Sequence, residues 1–192
     1  PDVALFSFAE VVRQAGADAL IVHARKAWLK GLSPRENRDV PPLDYGIVHR
    51  LKAVHPDLAI VLNGGLASLE QAQAQLGNLD GVMLGRAAYQ EPWRLLAADP
   101  VLFGEPAPFA SGKEAARALI PYIEREMAKG VRLNSITRHV LGLFRAVPGA
   151  RAFRRHLATE AVKPGADAKV MADALALVLV LDTERDLAHI AA

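Results

Sequence analysis

The stretch Ile60–Arg86, IVLNGGLASLEQAQAQLGNLDGVMLGR, decides the fold, because in it two short apolar runs each end in a glycine step that opens a helix. Leu58–Leu62 is continuously apolar and reads as a strand buried on both faces, ending at Asn63-Gly64-Gly65. Ser68 with Gln71 has the spacing of a capping box, so a helix follows and stops near Gly77-Asn78. A second run, Gly81–Leu84, ends at Gly85-Arg86 before another helical stretch. Strand, helix, strand and helix in such quick succession predict a parallel sheet with short loops.

Glycines at the carboxyl end of a parallel strand let backbone N–H groups approach an anion, and the helix behind them adds partial positive charge. Arg86 could complete a phosphate cradle with a bidentate grip. Gly64, Gly65 and Gly85 could equally supply tight turns alone, with Arg86 a solvated cap. Two loops of one design, one strand apart, keep both readings open, since (β/α)8 barrels often bind phosphate at the loops after strands 7 and 8.

Upstream, Phe6, Phe8, Val11, Val12 and Ala15 have helical spacing up to Gly16, and Ala19–Val22 reads as a buried strand ending at His23. Residues 24–43 are too polar and proline-marked for a regular element and too long for an ordinary βα loop, which marks them for function. Asp44 caps a helix through Val54, closed by His55-Pro56. Downstream, Pro92 interrupts the helix after Arg86, and Pro100, Gly104, Pro106 and Pro108 mark a connector with a domain boundary near residues 105–111. Four helices are then predicted: one from the Ser111/Glu114 capping box to Gly130, bent at Pro121; one over Leu133–Phe144; one from Pro148 with Phe153 and Leu157 inward; and one over Val170–Leu187. The expected fold is thus α/β over residues 1–108, the C-terminal part of a (β/α)8 TIM barrel, followed by an all-α helical bundle over 109–192.

Hydrophobic residues make up 52% of the 192, enough for a sizeable core. No apolar run approaches the roughly 20 residues that span a bilayer, so the expected location is the cytoplasm, without a membrane partner. The absence of cysteine excludes disulfides, thiolate metal sites and a cysteine nucleophile within this stretch. The chain opens at Pro1 inside an α/β pattern, which suggests the C-terminal part of a longer protein. Net charge is only +2, yet residues 131–163 hold seven Lys/Arg (Arg132, Arg138, Arg145, Arg151, Arg154, Arg155 and Lys163) against one acid, Glu160. There is no G-x-G-x-x-G, Walker A, H-E-x-x-H or G-x-S-x-G motif.

Two constellations stand out. His23 lies at the strand end on the rim of the two glycine loops, where barrel enzymes place cofactor-contacting groups; alone it would read as a satisfied hydrogen-bonding residue, and Arg25 and Lys26 beside it could serve the rim or face solvent. Arg151, Arg154 and Arg155 share one helical face, with Arg35 and Arg38 three apart in the long loop. Such charge runs are usually solvated faces, but the scarcity of local acids favours an external polyanion.

The 23-residue string His23–Tyr45, HARKAWLKGLSPRENRDVPPLDY, closely resembles the A-type branch of the tRNA-dihydrouridine synthases. The resemblance continues through Asn63-Gly64-Gly65, DGVMLGRAAY (80–89), YIERE (122–126), ITRHVLGLF (136–144) and PGARAFRRHL (148–157). It implies an FMN-dependent reductase that saturates the C5–C6 bond of uridines in the tRNA D-loop, with NADPH reducing the flavin and a cysteine acting as acid. That cysteine and a flavin-contacting lysine belong to the first half of the family's barrel, so no catalytic residue is assigned here and the isolated stretch is expected to be inactive. By the resemblance, His23 contacts FMN; Asn63, Gly64, Gly65, Gly85 and Arg86 hold its phosphate; and Arg35, Arg38, Arg151 and Arg154 touch tRNA. No metal is implied, and a monomer is expected. The rival readings are another flavin or sugar-phosphate barrel oxidoreductase, which leaves the basic tail without a purpose, and a non-catalytic RNA-binding module, which leaves the glycine loops as scaffold.

Overall fold

Strands β1 (Ala19–His23), β2 (Ala59–Asn63) and β3 (Gly81–Met83) form a parallel sheet in that order, in a computed structural model that describes residues 2–28 and 30–179. The register pairs His23 with Asn63 and Asn63 with Met83, so these three side chains form one row at the carboxyl ends of the strands. Helices α1 (Asp2–Gln14), α2 (Tyr45–Val54) and α3 (Leu69–Leu76) alternate with the strands. Ala9, Val48, Leu51, Ile60, Leu62 and Ala72 are fully buried between helices and sheet, each large aliphatic side chain contributing about 1.5–3 kcal/mol.

The expected caps form. Asp44 accepts a hydrogen bond from Ile47 N–H at 3.0 Å and starts α2. Ser68 Oγ accepts from Gln71 N–H at 3.3 Å while the Gln71 amide oxygen accepts from Ala67 N–H at 2.9 Å. Below the strands, Lys52 Nζ donates to the carbonyls of Pro56 and Leu58, and Asp80 accepts both from Lys52 (2.8 Å) and from Ile60 N–H (2.7 Å), tying α2, β2 and β3 together.

Burial on both faces of the strands is corrected. Burial alternates along β2, and in β1 only Val22 is buried while Ile21 is 61% exposed. Side chains alternate across a strand, and the helices cover only the face that carries Val22, Ile60 and Leu62.

The two compact units divide after Arg86, not at residues 105–111. The reason lies in residues 89–93: Tyr89 bonds His139 at 2.9 Å, Glu91 pairs with Arg145 at 3.3 Å, and Trp93 packs on the helical core. Helix α4 (Arg86–Gln90) is followed by a 3-10 helix at Pro92–Ala97 and a π-helical turn at Asp99–Phe103.

In the second unit, Ser111 Oγ accepts from Glu114 N–H at 3.2 Å while the Glu114 carboxylate accepts from Ala110 N–H at 2.8 Å. The single bent helix expected from there is instead two, α5 (Gly112–Ala118) and α6 (Ile120–Ala128), because Pro121 lacks the N–H that would bond Arg117 C=O. The helix expected over Leu133–Phe144 is only α7 (Leu133–Thr137), followed by turns closed by i to i+3 bonds such as Leu143 N–H to Val140 C=O. Gly142 there lies so close to Gln90 that a Cβ would sit 2.1 Å from its carbonyl oxygen. Helix α8 (Ala150–Glu160) buries Phe153 and Leu157, with Phe153 set edge-on against Phe144 at 4.8 Å between ring centres. The last helix, α9 (Lys169–Ala176), is shorter than expected, and residues 180–187 of the predicted Val170–Leu187 helix lie outside the described residues.

Candidate functional site

The site grows from the ends of β1 and β2. Past Asn63 the backbone turns through Gly64 (φ +129°) and Gly65 (φ +68°), conformations that side chains rarely adopt. The turn is also crowded: a Cβ on Gly65 would meet Leu43 Cδ1 at 2.5 Å, and one on Gly64 would lie 3.3 Å from Ala24 N. Gly64 is buried and Gly65 exposed. Gly85, by contrast, is open, with nothing within 4 Å of a Cβ.

The long loop folds back over this turn. Arg25 and Leu43 form an antiparallel bridge, and Asp44 N–H donates to Ala24 C=O at 2.9 Å. Arg25 Nη1 donates to the carbonyls of Asp39 (3.1 Å) and Pro41, while its Nε is buried with no partner. Further out, Asn37 brackets Trp28 through both its backbone N–H and C=O, and Glu36 accepts from Ser33. A 3-10 turn at Glu36–Arg38 is the loop's regular element. At the loop's end, Tyr45 O–H donates to Gly64 C=O at 2.8 Å.

Arg86 joins β3 to the same loop, Nη1 donating to the Asp39 carboxylate at 2.7 Å. This pair holds Asp39 below the ordinary carboxylate range, with Arg25 and Arg35 adding to the effect. His23 is pushed below its ordinary pKa first by desolvation, then by Arg25, Arg86 and Arg38, so its imidazole is neutral at pH 7. The structure therefore brings His23, Asn63, Gly64, Gly65, Arg38 and Arg86 to one rim, with Arg35 close enough to act on Asp39. Three residues there carry no sequence signal that marks them: Asp39, Tyr45 and Met83, which shares the row of His23 and Asn63. Among the described residues no cluster of three metal-ligating side chains occurs, and no helix is long and apolar enough to cross a membrane.

The sequence that builds this rim matches, over residues 2–178, a family model described as dihydrouridine synthase. The chain belongs to the dihydrouridine synthase family. It is 51% identical over 175 residues to the tRNA-dihydrouridine(20/20a) synthase of Yersinia pestis, covering 91% of this chain and 51% of that protein. The enzyme of the same name from Vibrio parahaemolyticus is 49% identical, with 91% and 54% covered, and that of Escherichia coli 53% identical, with 84% and 47% covered. This family member thus spans about half the length of the relatives it matches.

In its second unit, the arginine face of α8 is present: Arg151 and Arg155 are exposed and Arg154 half-buried, opposite the buried Phe153 and Leu157. Two cations of the basic stretch have acid partners, Arg145 with Glu91 and Lys163 with Glu160. Arg132, Arg138, Arg151, Arg154 and Arg155 form no ion pair among the described residues.

Proposed function

We propose that the chain is the flavin-phosphate and tRNA-contacting part of an FMN-dependent tRNA-dihydrouridine synthase, working in the cytoplasm as a monomer with NADPH as reductant. The three strands are then part of a (β/α)8 barrel whose remaining strands close over the face carrying Ile21, and the second unit is its helical tRNA-binding domain. The observation that carries this reading is the cationic rim: a glycine turn with exposed backbone at Gly65 and an orphaned, buried Arg25 Nε, beside a histidine that desolvation and then three nearby arginines push below its ordinary pKa. Those residues fit a phosphomonoester, which needs N–H donors and compensating positive charge.

Asn63, Gly64, Gly65, Gly85 and Arg86 would hold the FMN phosphate and His23 the flavin. FMN supplies the hydride relay between NADPH and the uracil C5–C6 double bond. In balance, one hydride and one proton add to uridine and NADPH becomes NADP+. His23, neutral, can donate or accept one hydrogen bond without competing for the anion. The proton donor to the base lies outside this chain, which has no cysteine. Arg35, Arg38, Arg151 and Arg154 would contact tRNA phosphates, which position the substrate without reading its bases.

The test is direct. Undermodified tRNA is incubated with the complete protein, FMN and NADPH, and its nucleosides are analysed by mass spectrometry. Dihydrouridine in the D-loop is expected; flavin reduction without any change in the tRNA would favour another barrel oxidoreductase.

A further inference from the structure

Among the described residues Tyr45 is the one side chain that reaches the glycine turn with a hydrogen bond, and we infer that it is a positioning residue for the anion cradle: its hydroxyl aims the Gly65 N–H at the phosphate. This rests on the phosphate reading of the turn. The geometry is as follows. Tyr45 O–H donates to Gly64 C=O at 2.8 Å. That carbonyl and the Gly65 N–H belong to one planar trans peptide, no cis bond being present, so they point in opposite directions. Holding the carbonyl therefore fixes the N–H. The carbonyl side is buried with Gly64, whereas Gly65 is exposed and its N–H has no partner among the described residues.

Two glycines in succession have no side chain to limit rotation of the peptide between them, so the orientation must be imposed from outside the turn. Tyr45 is well placed to impose it. It is the first residue of α2, whose opening turn is set by the Asp44 cap, and the preceding Leu43 is bridged to Arg25 at the end of β1 and packs against Gly65. The hydroxyl is thus fixed relative to both strand ends that make the rim. Its role runs through the Gly64–Gly65 peptide, whose carbonyl it holds.

The measurement compares FMN with riboflavin, which lacks the phosphate, by fluorescence titration of the flavin-stripped complete protein. Wild type should prefer FMN. Tyr45→Phe should weaken FMN binding by roughly tenfold or more, the scale of one charge-assisted hydrogen bond, and leave riboflavin affinity unchanged. A residue that only supports the fold would lower both affinities together. If the variant loses both equally, or neither, the inference is wrong while the phosphate reading stands. If wild type binds the two flavins equally, the phosphate reading fails and the inference with it. Should Tyr45→Phe not fold, Asp44→Ala loosens the turn that carries Tyr45, and an unchanged FMN-to-riboflavin ratio there is equally decisive against the proposal.

Discussion

Arg86 illustrates how a single residue can be located from sequence while its partner within the fold is not. The glycine step before it marks the rim, but its guanidinium is engaged with Asp39, 47 positions away in the chain. Both ends of that pair are exposed, 60% for Arg86 and 46% for Asp39, so it adds little to stability. Its consequence is for the loop and the ligand. If the side chain takes part in holding phosphate, Arg86→Ala should lower FMN affinity by about 1.5–3 kcal/mol. Asp39→Asn, which releases the guanidinium from a competing carboxylate, should keep or raise that affinity. Equilibrium dialysis of both variants of the complete protein separates the cases, and an Arg86→Ala protein with wild-type affinity would assign the phosphate to backbone groups alone.

At the scale of elements, α1 is fastened by an acid. Glu10 accepts from Arg13 and Gln14 and lies 3.5 Å from His55 Nδ1, and Arg13 also reaches Asp57 at 3.1 Å. Its carboxyl is held down at about 2, chiefly by the Arg13 and then the Gln14 hydrogen bonds. A depressed carboxylate contributes stability that is complete above its ordinary pKa and is lost as pH falls through the folded-state value. Glu10→Gln should therefore flatten the fall in thermal midpoint on acidification from about 4.5 to about 2, and leave the neutral-pH slope alone. Helix α8 makes the second prediction. If Arg151 and Arg154 contact tRNA phosphates, the log–log salt dependence of tRNA binding should lose roughly 0.7–0.9 of a unit for each arginine removed. Flavin content should not change. Equal slopes for Arg151→Ala/Arg154→Ala and wild type would leave that face merely solvated, with Lys113→Ala as the control.

For the molecule as a whole, the half-length match and the absence of cysteine lead to one expectation: the isolated 192-residue chain, given FMN and NADPH, forms no dihydrouridine in tRNA. Product from that chain would require a proton donor among the residues present and would overturn the division of roles proposed above. The elements that could be read directly are those governed by neighbours in sequence. The caps at Asp44, Ser68 and Ser111 depend on interactions spanning three or four residues, and the bend at Gly64-Gly65 on the glycines' own positive φ, and they form where the pattern puts them. The rim position of His23 follows as well, since it needs only a strand and its end. Contacts over long separations were not legible. The close approach of Gly142 to Gln90 joins residues 52 apart, the unit boundary depends on Tyr89 meeting His139, and the aim of the glycine turn on a tyrosine 19 residues upstream. Periodicity records which face of an element is apolar. It carries no record of which distant backbone group that element will approach, because that depends on packing the whole unit.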